Sequence, residues 1–163
     1  KRFSMCGARI GALASRNPAV IDAALRMGQA RLCAPYVGQV AAEAALRAPK
    51  SYFTTVHDEY EARRNFMVGA LNRMEGVRCP MPRGAFYAIA ELPVDDADRF
   101  AQWLLEDFEL EGRTVMVAPA SGFYSDPAAG RRQVRLAYVL NIDELRGAME
   151  VLERALKVYP GRC

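Results

Sequence analysis

The stretch Lys1-Arg-Phe-Ser-Met-Cys-Gly-Ala-Arg-Ile-Gly11 (KRFSMCGARIG) decides how the rest of the chain reads. It carries neither an initiator methionine nor a recognisable targeting segment, so the chain reads as a piece of something longer. Arg9 lies between Gly7 and Gly11, at the mouth of the apolar run ARIGALAS (Ala8 to Ser15), which fits a buried strand. A charge in such a place calls for a buried partner; the plainer reading of Arg9 is a surface ion pair. Taken alone, Lys1 reads as a solvated lysine.

Composition bounds the classes open to this chain. Its 163 residues are 52% hydrophobic and 25% charged, the balance of an ordinary globular domain. A chain of this length buries roughly two thirds of its unfolded surface, ample for a core. No apolar stretch approaches the roughly 18 residues of a membrane span. The net charge is +3, from 22 Lys+Arg against 19 Asp+Glu, and the basic residues are scattered. Their tightest runs, Arg63-Arg64 and Arg131-Arg132, are only pairs, which argues against a nucleic-acid footprint. Small acidic substrates need only one or two placed arginines and stay open. The four cysteines, Cys6, Cys33, Cys79 and Cys163, form no C-x-x-C pair, and His57 is the single histidine. No zinc cluster can be assembled from neighbours in sequence. The cysteines read as free thiols of a reducing, cytoplasmic compartment, and His57 as a solvated residue on a charged helical face.

Alternating periods of 2 and 3.6 along the chain predict a mixed α/β fold. Asn17-Pro18 is an N-cap with proline at the first helical position, opening a helix to about Leu32. VGQVAAEAALRA (37–48) is helical and rich in small residues. Ser51 to Glu75 is a long amphipathic helix, for which Gly76 is a natural stop. Strands follow at AFYAIAEL (85–92), TVMVAP (114–119) and QVRLAYVL (133–140), with a helix over 95–108 and a Gly/Ser/Pro-rich loop over 119–130. Asn141 caps the last helix, with Glu144 at the capping-box position; its stripe of Leu145, Met149, Leu152 and Leu156 reads as core. Tyr87 and Phe86 read as packing residues of their strand. Arg135, between Val134 and Leu136, either faces solvent or is aimed at an anion.

The opening stretch resembles the lysine motif of class I/II aminotransferases, the pyridoxal-phosphate enzymes of fold type I. In that motif a lysine is followed two on by an aromatic or hydrophobic residue and then by Gly-x-Arg-x-Gly; Phe3, Gly7, Arg9 and Gly11 stand in those places. PRGAFYAIAEL (82–92) is similar to the family's Pro-x-Gly-Ala-Phe-Tyr strand, VMVAPASGFY (115–124) to its Val-x-x-Pro-Gly-x-x-Phe loop, and VRLAYVL (134–140) to its arginine-bearing strand. The loop departs from the pattern with Pro119-Ala120 in place of Pro-Gly. The chain most resembles the bacterial aspartate enzymes.

The resemblance implies fold type I: residues 1–48 as the end of the large α/β cofactor-binding domain and 49–163 as a small α+β C-terminal domain, with a missing N-terminal part completing the site. It implies pyridoxal 5'-phosphate as cofactor, Lys1 as catalytic residue and Schiff-base partner, Arg9 on the cofactor phosphate and Arg135 on the substrate α-carboxylate. The chemistry suits those residue types. A lysine amine with a lowered pKa can form the Schiff base and move a proton between substrate and cofactor carbons. A guanidinium fork suits phosphate and carboxylate. The implied activity is transfer of an amino group, from aspartate or another small amino acid, to a 2-oxoacid such as 2-oxoglutarate. It would belong to a homodimer that binds neither nucleic acid nor membrane. The second arginine that holds the distal carboxylate in animal-type aspartate enzymes is not matched: Val40 stands at that place beside Gln39. A β-lyase, a decarboxylase or an amino-acid-sensing regulator on the same scaffold are the alternatives.

Overall fold

A computed structural model describes residues 2–163, and Lys1 lies outside the described residues. The chain forms two compact units, residues 1–53 and 54–163. Among the described residues no helix is long and apolar enough to cross a membrane.

In the first unit the 3-10 turn Cys6–Ala8 is followed by the helices α1 (Pro18–Gln29) and α2 (Tyr36–Ala45). The start of α1 is as the sequence predicts: the Asn17 side chain accepts from the Ala19 amide at 3.0 Å, and Pro18 needs no amide partner there. The helix stops at Gln29, earlier than expected. The small residues of α2 have a definite use. A side chain at Gly38 would stand 3.1 Å from the Ala8 carbonyl oxygen, so glycine lets this helix close against the 3-10 turn. The run Ala8 to Ser15 does not form the expected buried strand: it is a turn followed by irregular, mostly exposed chain. A strand needs neighbours to satisfy its amides and carbonyls, and among its described residues this unit has no other strand.

Helix α3 (Lys50–Leu71) spans the division between the units and buries Met67, Val68, Ala70 and Leu71 in the second. It ends short of the expected Glu75, in turns that lead to Gly76 at φ +78°, a conformation that suits glycine. The second unit then runs β1 (Tyr87–Glu91), α4 (Ala97–Glu106), β2 (Ala118–Pro119), β3 (Gln133–Ala137) and α5 (Ile142–Val158). The three strands form one antiparallel sheet in the order β1-β3-β2. Each is shorter than the sequence suggests, and TVMVAP pairs only at its last two residues. Both helices of this unit that follow β1 are capped by a side chain, the second at Asn141 as expected. Asp96 Oδ1 accepts from the Asp98 and Arg99 amides, and Asn141 Oδ1 from the Glu144 amide at 2.9 Å.

Ala88, Ala90, Val134 and Leu136 share one hydrophobic cluster with Leu71, Phe100, Leu104, Leu145, Met149, Leu152 and Leu156. At its edge Tyr159 packs against Phe100 and Trp103, with ring centroids 5.0 and 5.2 Å away. Its hydroxyl donates to Asp95 Oδ1 at 3.0 Å. Burial, that hydrogen bond and the carboxylates of Asp95 and Asp96 push the Tyr159 pKa up to about 12. The neutral phenol is therefore favoured in the folded state. Because the folded pKa lies above the unfolded value near 10, this contribution is complete below about pH 10 and is lost as the pH rises toward 12. Urea midpoints measured across that window should fall, and Tyr159→Phe should flatten the fall. An identical slope in the variant would show that the phenol is not its source.

Candidate active site

Two arginine-centred regions emerge, one in each unit. In the first unit, the opening stretch is tied to the start of α3. The Phe3 and Phe53 rings meet edge to face at 5.6 Å, the Arg2 guanidinium lies 4.6 Å over Phe53, and Tyr52 Oη donates to Ser4 Oγ at 3.3 Å. Arg9 closes the 3-10 turn with φ +50°, a left-handed conformation that costs an L-residue about 1 kcal/mol. Its side chain is exposed, with Nη1 3.5 Å from the Cys6 carbonyl oxygen. The buried partner expected at the mouth of a strand is not there, because the strand is not there.

Arg9 instead lines a cleft of about 420 Å³ with Met5, Cys6, Ile10 and Arg31. Leu32, at φ +63°, turns the chain just after Arg31. No carboxylate lines the cleft, and among the described residues none pairs with either arginine. The cleft is thus lined by two arginines, a residue type chemically suited to an anion.

In the second unit, the register of the sheet decides where Arg135 points. Ala88 pairs with Leu136 and Ala90 with Val134, and all four are buried. Ile89 pairs with Arg135, so the arginine belongs to the opposite, partly exposed face. Tyr87 is its diagonal neighbour across β1, a separation that an aromatic side chain can bridge. The Arg135 guanidinium carbon lies 4.7 Å from the Tyr87 ring centroid and 4.7 Å from that of Phe123. Among the described residues no carboxylate pairs with it. Tyr87 is thus more than strand packing, whereas Phe86 does pack, joining the core with Tyr60 at 6.1 Å. His57 is exposed beside Asp58, as expected, and plays no part in either region.

The model of the family described as aminotransferase class I and II matches residues 1–152. The chain belongs to that family. The aspartate aminotransferase of Rhizobium meliloti is 30% identical over 169 residues, covering 96% of this chain and 39% of that enzyme. Among solved structures, the aspartate aminotransferase of Thermotoga maritima superposes with a TM-score of 0.77 at 30% identity, covering 96% of this chain and 38% of that one. The aromatic aminotransferase of Pyrococcus horikoshii OT3 does so with a TM-score of 0.78 at 30% identity, covering 96% and 41%. The chain thus spans about two fifths of the length of these relatives. Its fold is the α/β fold type I of these aminotransferases, as the opening motif implies.

Arg9 and Arg135 are marked by their motifs in the sequence, whereas Arg31 and Phe123 are placed beside them by the structure. Arg31 carries no local signal: it follows the end of α1 and shares the cleft with Arg9. Phe123 did have one, as the closing residue of the Val-x-x-Pro-Gly-x-x-Phe pattern. Ala120, in the glycine place of that pattern, adopts an ordinary right-handed backbone (φ −100°, ψ −1°), so no glycine is needed. The glycine that matters is Gly130. An added Cβ there would stand 2.5 Å from the Ala120 carbonyl oxygen and 2.6 Å from its carbon, both backbone atoms. Gly130→Ala should therefore cost about 1–3 kcal/mol in urea unfolding. An unchanged midpoint would mean that the 120–130 segment is looser than this packing.

Proposed function

We propose that this chain supplies part of the active site of a pyridoxal-phosphate-dependent aminotransferase, which moves the amino group of aspartate to a 2-oxoacid such as 2-oxoglutarate. The observation that carries the reading is Arg135, a guanidinium set on the outer sheet face over two aromatic rings with no carboxylate partner among the described residues. An arginine kept in that state is ready to take a carboxylate, and every amino acid and 2-oxoacid has one.

Residues 1–48 are the end of the large cofactor-binding domain in this reading, and 49–163 the small C-terminal domain. The first unit supports it: α1 leaves Val20, Ile21 and Leu25 exposed, and Gly38 is its only buried residue among those described. Such helices need more protein to cover them. A homodimer comes from the family resemblance. Free cysteines at all four positions agree with a cytoplasmic setting.

The two arginines that line the cleft, Arg9 and Arg31, suit the phosphate of pyridoxal phosphate, with Arg9 as the principal holder because it stands in the motif. When bound, the cofactor supplies an electron sink for the substrate α-carbon. Lys1 Nζ takes and returns the α-proton, a role that rests on the motif. Arg135 holds the α-carboxylate and so fixes which substrate bond faces the lysine. Aspartate as donor rests on the relatives, several of which are aspartate aminotransferases. The chain itself offers no cation at positions 39 and 40. Val40 is apolar, and Gln39 Nε2 is engaged by the Ala34 carbonyl at 2.7 Å. In this reading the distal carboxylate meets a basic residue of the N-terminal part.

Arg9→Ala should weaken retention of pyridoxal phosphate by about 1.5–3 kcal/mol, the worth of a charged hydrogen bond, while binding of phosphate-free pyridoxal stays the same. Equal retention by variant and parent on dialysis would return Arg9 to an ordinary surface role. For the reaction itself, Arg135→Ala should cost about 3–5 kcal/mol, a loss of roughly a hundred- to several-thousand-fold in kcat/KM for every donor. Donor kinetics of the intact enzyme test the substrate. If alanine or an aromatic amino acid exceeds aspartate by about tenfold or more, aspartate is the wrong donor.

A further inference from the structure

Phe123 is an oddity of the second unit: a large aromatic ring, 52% exposed, on a segment that is otherwise fastened on both sides. Before it, the Ala120 amide donates to the Gln133 carbonyl at 2.9 Å, and Ser121 Oγ donates to Asp98 Oδ2 at 2.8 Å, tying the turn to β3 and to the first turn of α4. After it, Tyr124 Oη donates to Gln133 Oε1 at 2.6 Å. The Phe123 amide itself closes the turn on the Ala120 carbonyl at 3.0 Å. Ala120 is fully buried, with Gly130 packed against its carbonyl. All this order delivers a ring that does not join the core. What it meets is Arg135, at 4.7 Å.

We propose that Phe123 is a positioning residue for substrate binding: its ring holds the Arg135 guanidinium in place so that the charge stays uncompensated and its N–H edge is presented to the substrate carboxylate. The inference rests on the reading of Arg135 given above and adds how its position is kept. An arginine has a long, flexible side chain, and the usual way to fix one is a carboxylate, which would occupy its donors and cancel its charge. A ring face attracts the cation through its quadrupole and takes no N–H. Tyr87 supplies a second ring at the same distance, but it sits within β1. Phe123 is carried by the turn between β2 and β3, so its placement depends on Asp98, Ser121, Tyr124 and Gly130.

The test uses the cofactor-loaded enzyme with Phe123→Leu, Phe123→Tyr, Arg135→Ala and the Phe123→Leu/Arg135→Ala pair. Two quantities are read: steady-state KM and kcat for the donor, and calorimetric Kd for maleate, a dicarboxylate that cannot react. Phe123→Leu should raise both KM and Kd about tenfold, with kcat within about twofold of the parent. Phe123→Tyr, which keeps a ring face, should restore both. In the Arg135→Ala background, Phe123→Leu should add nothing, because the group it positions is gone. Parent-like KM and Kd in Phe123→Leu, beside a large loss in Arg135→Ala, would overturn the proposal and leave the role of Arg135 standing. An undiminished effect of Phe123→Leu in the Arg135→Ala background would also overturn it, since the ring would then act elsewhere. Parent-like kcat/KM in Arg135→Ala would instead remove the carboxylate reading itself, and this proposal with it. Unfolding midpoints of the variants separate these outcomes from loss of fold, which the exposure of Phe123 argues against.

Discussion

The antiparallel ladder between β1 and β3 is the constraint on which the second unit depends. Its register sends Ala88, Ala90, Val134 and Leu136 into the core and leaves Tyr87, Ile89, Gln133 and Arg135 on the other face. Side chains alternate strictly along a strand, so a slip of one residue would drive Arg135 inward and Leu136 out. A guanidinium buried without a partner is far more costly than an exposed leucine. The apolar stripes of α4 and α5 and the end of α3 share a cluster with the inward residues, so packing and the placement of the arginine are decided by one choice of register.

Around that ladder, electrostatics is handled by omission as much as by pairing. Several arginines of the second unit do have carboxylate partners: Arg63 with Glu59, Arg64 with Glu61, Arg162 with Glu75. Such pairs on the surface contribute little to stability, but they neutralise the charges involved. Arg135 is treated differently, with aromatic faces in place of an acid. The cleft at Arg9 and Arg31 shows the same economy, two cations with no acid among the lining residues. Such restraint suits the proposed roles of these arginines, because a built-in carboxylate would compete directly with an anionic ligand.

The first unit shows where reading along the chain falls short. An apolar run such as Ala8 to Ser15 has a strand's composition, yet strand formation is a property of pairs. Here the stretch turns at Cys6–Ala8 and runs on irregularly, and Arg9 takes a left-handed backbone that no pattern of residues announced. Helix ends were legible where a side chain performs the capping, as at Asn17 and Asn141. They were less so at the C-termini of α1 and α3, where the stop depends on where the chain goes next.

The sequence by itself determined the family, through Lys1, Phe3, Gly7, Arg9 and Gly11 at fixed spacing and three later motifs in order. It also determined the helix starts and the core stripe of α5, since capping groups and a 3.6-residue period are local physics. It named Arg9 and Arg135 because their neighbours in the chain carry the pattern. Tertiary structure alone decided that Tyr87 and Phe123 meet Arg135, although 48 residues of chain or 12 separate them from it. It decided too that Arg31 joins Arg9 and that Gly130 must be glycine against Ala120. These are contacts between residues distant in sequence. They follow from strand register and loop closure, which depend on the packing of the whole unit; even where a motif marks a residue, as at Phe123, it does not say which side chain that residue will meet.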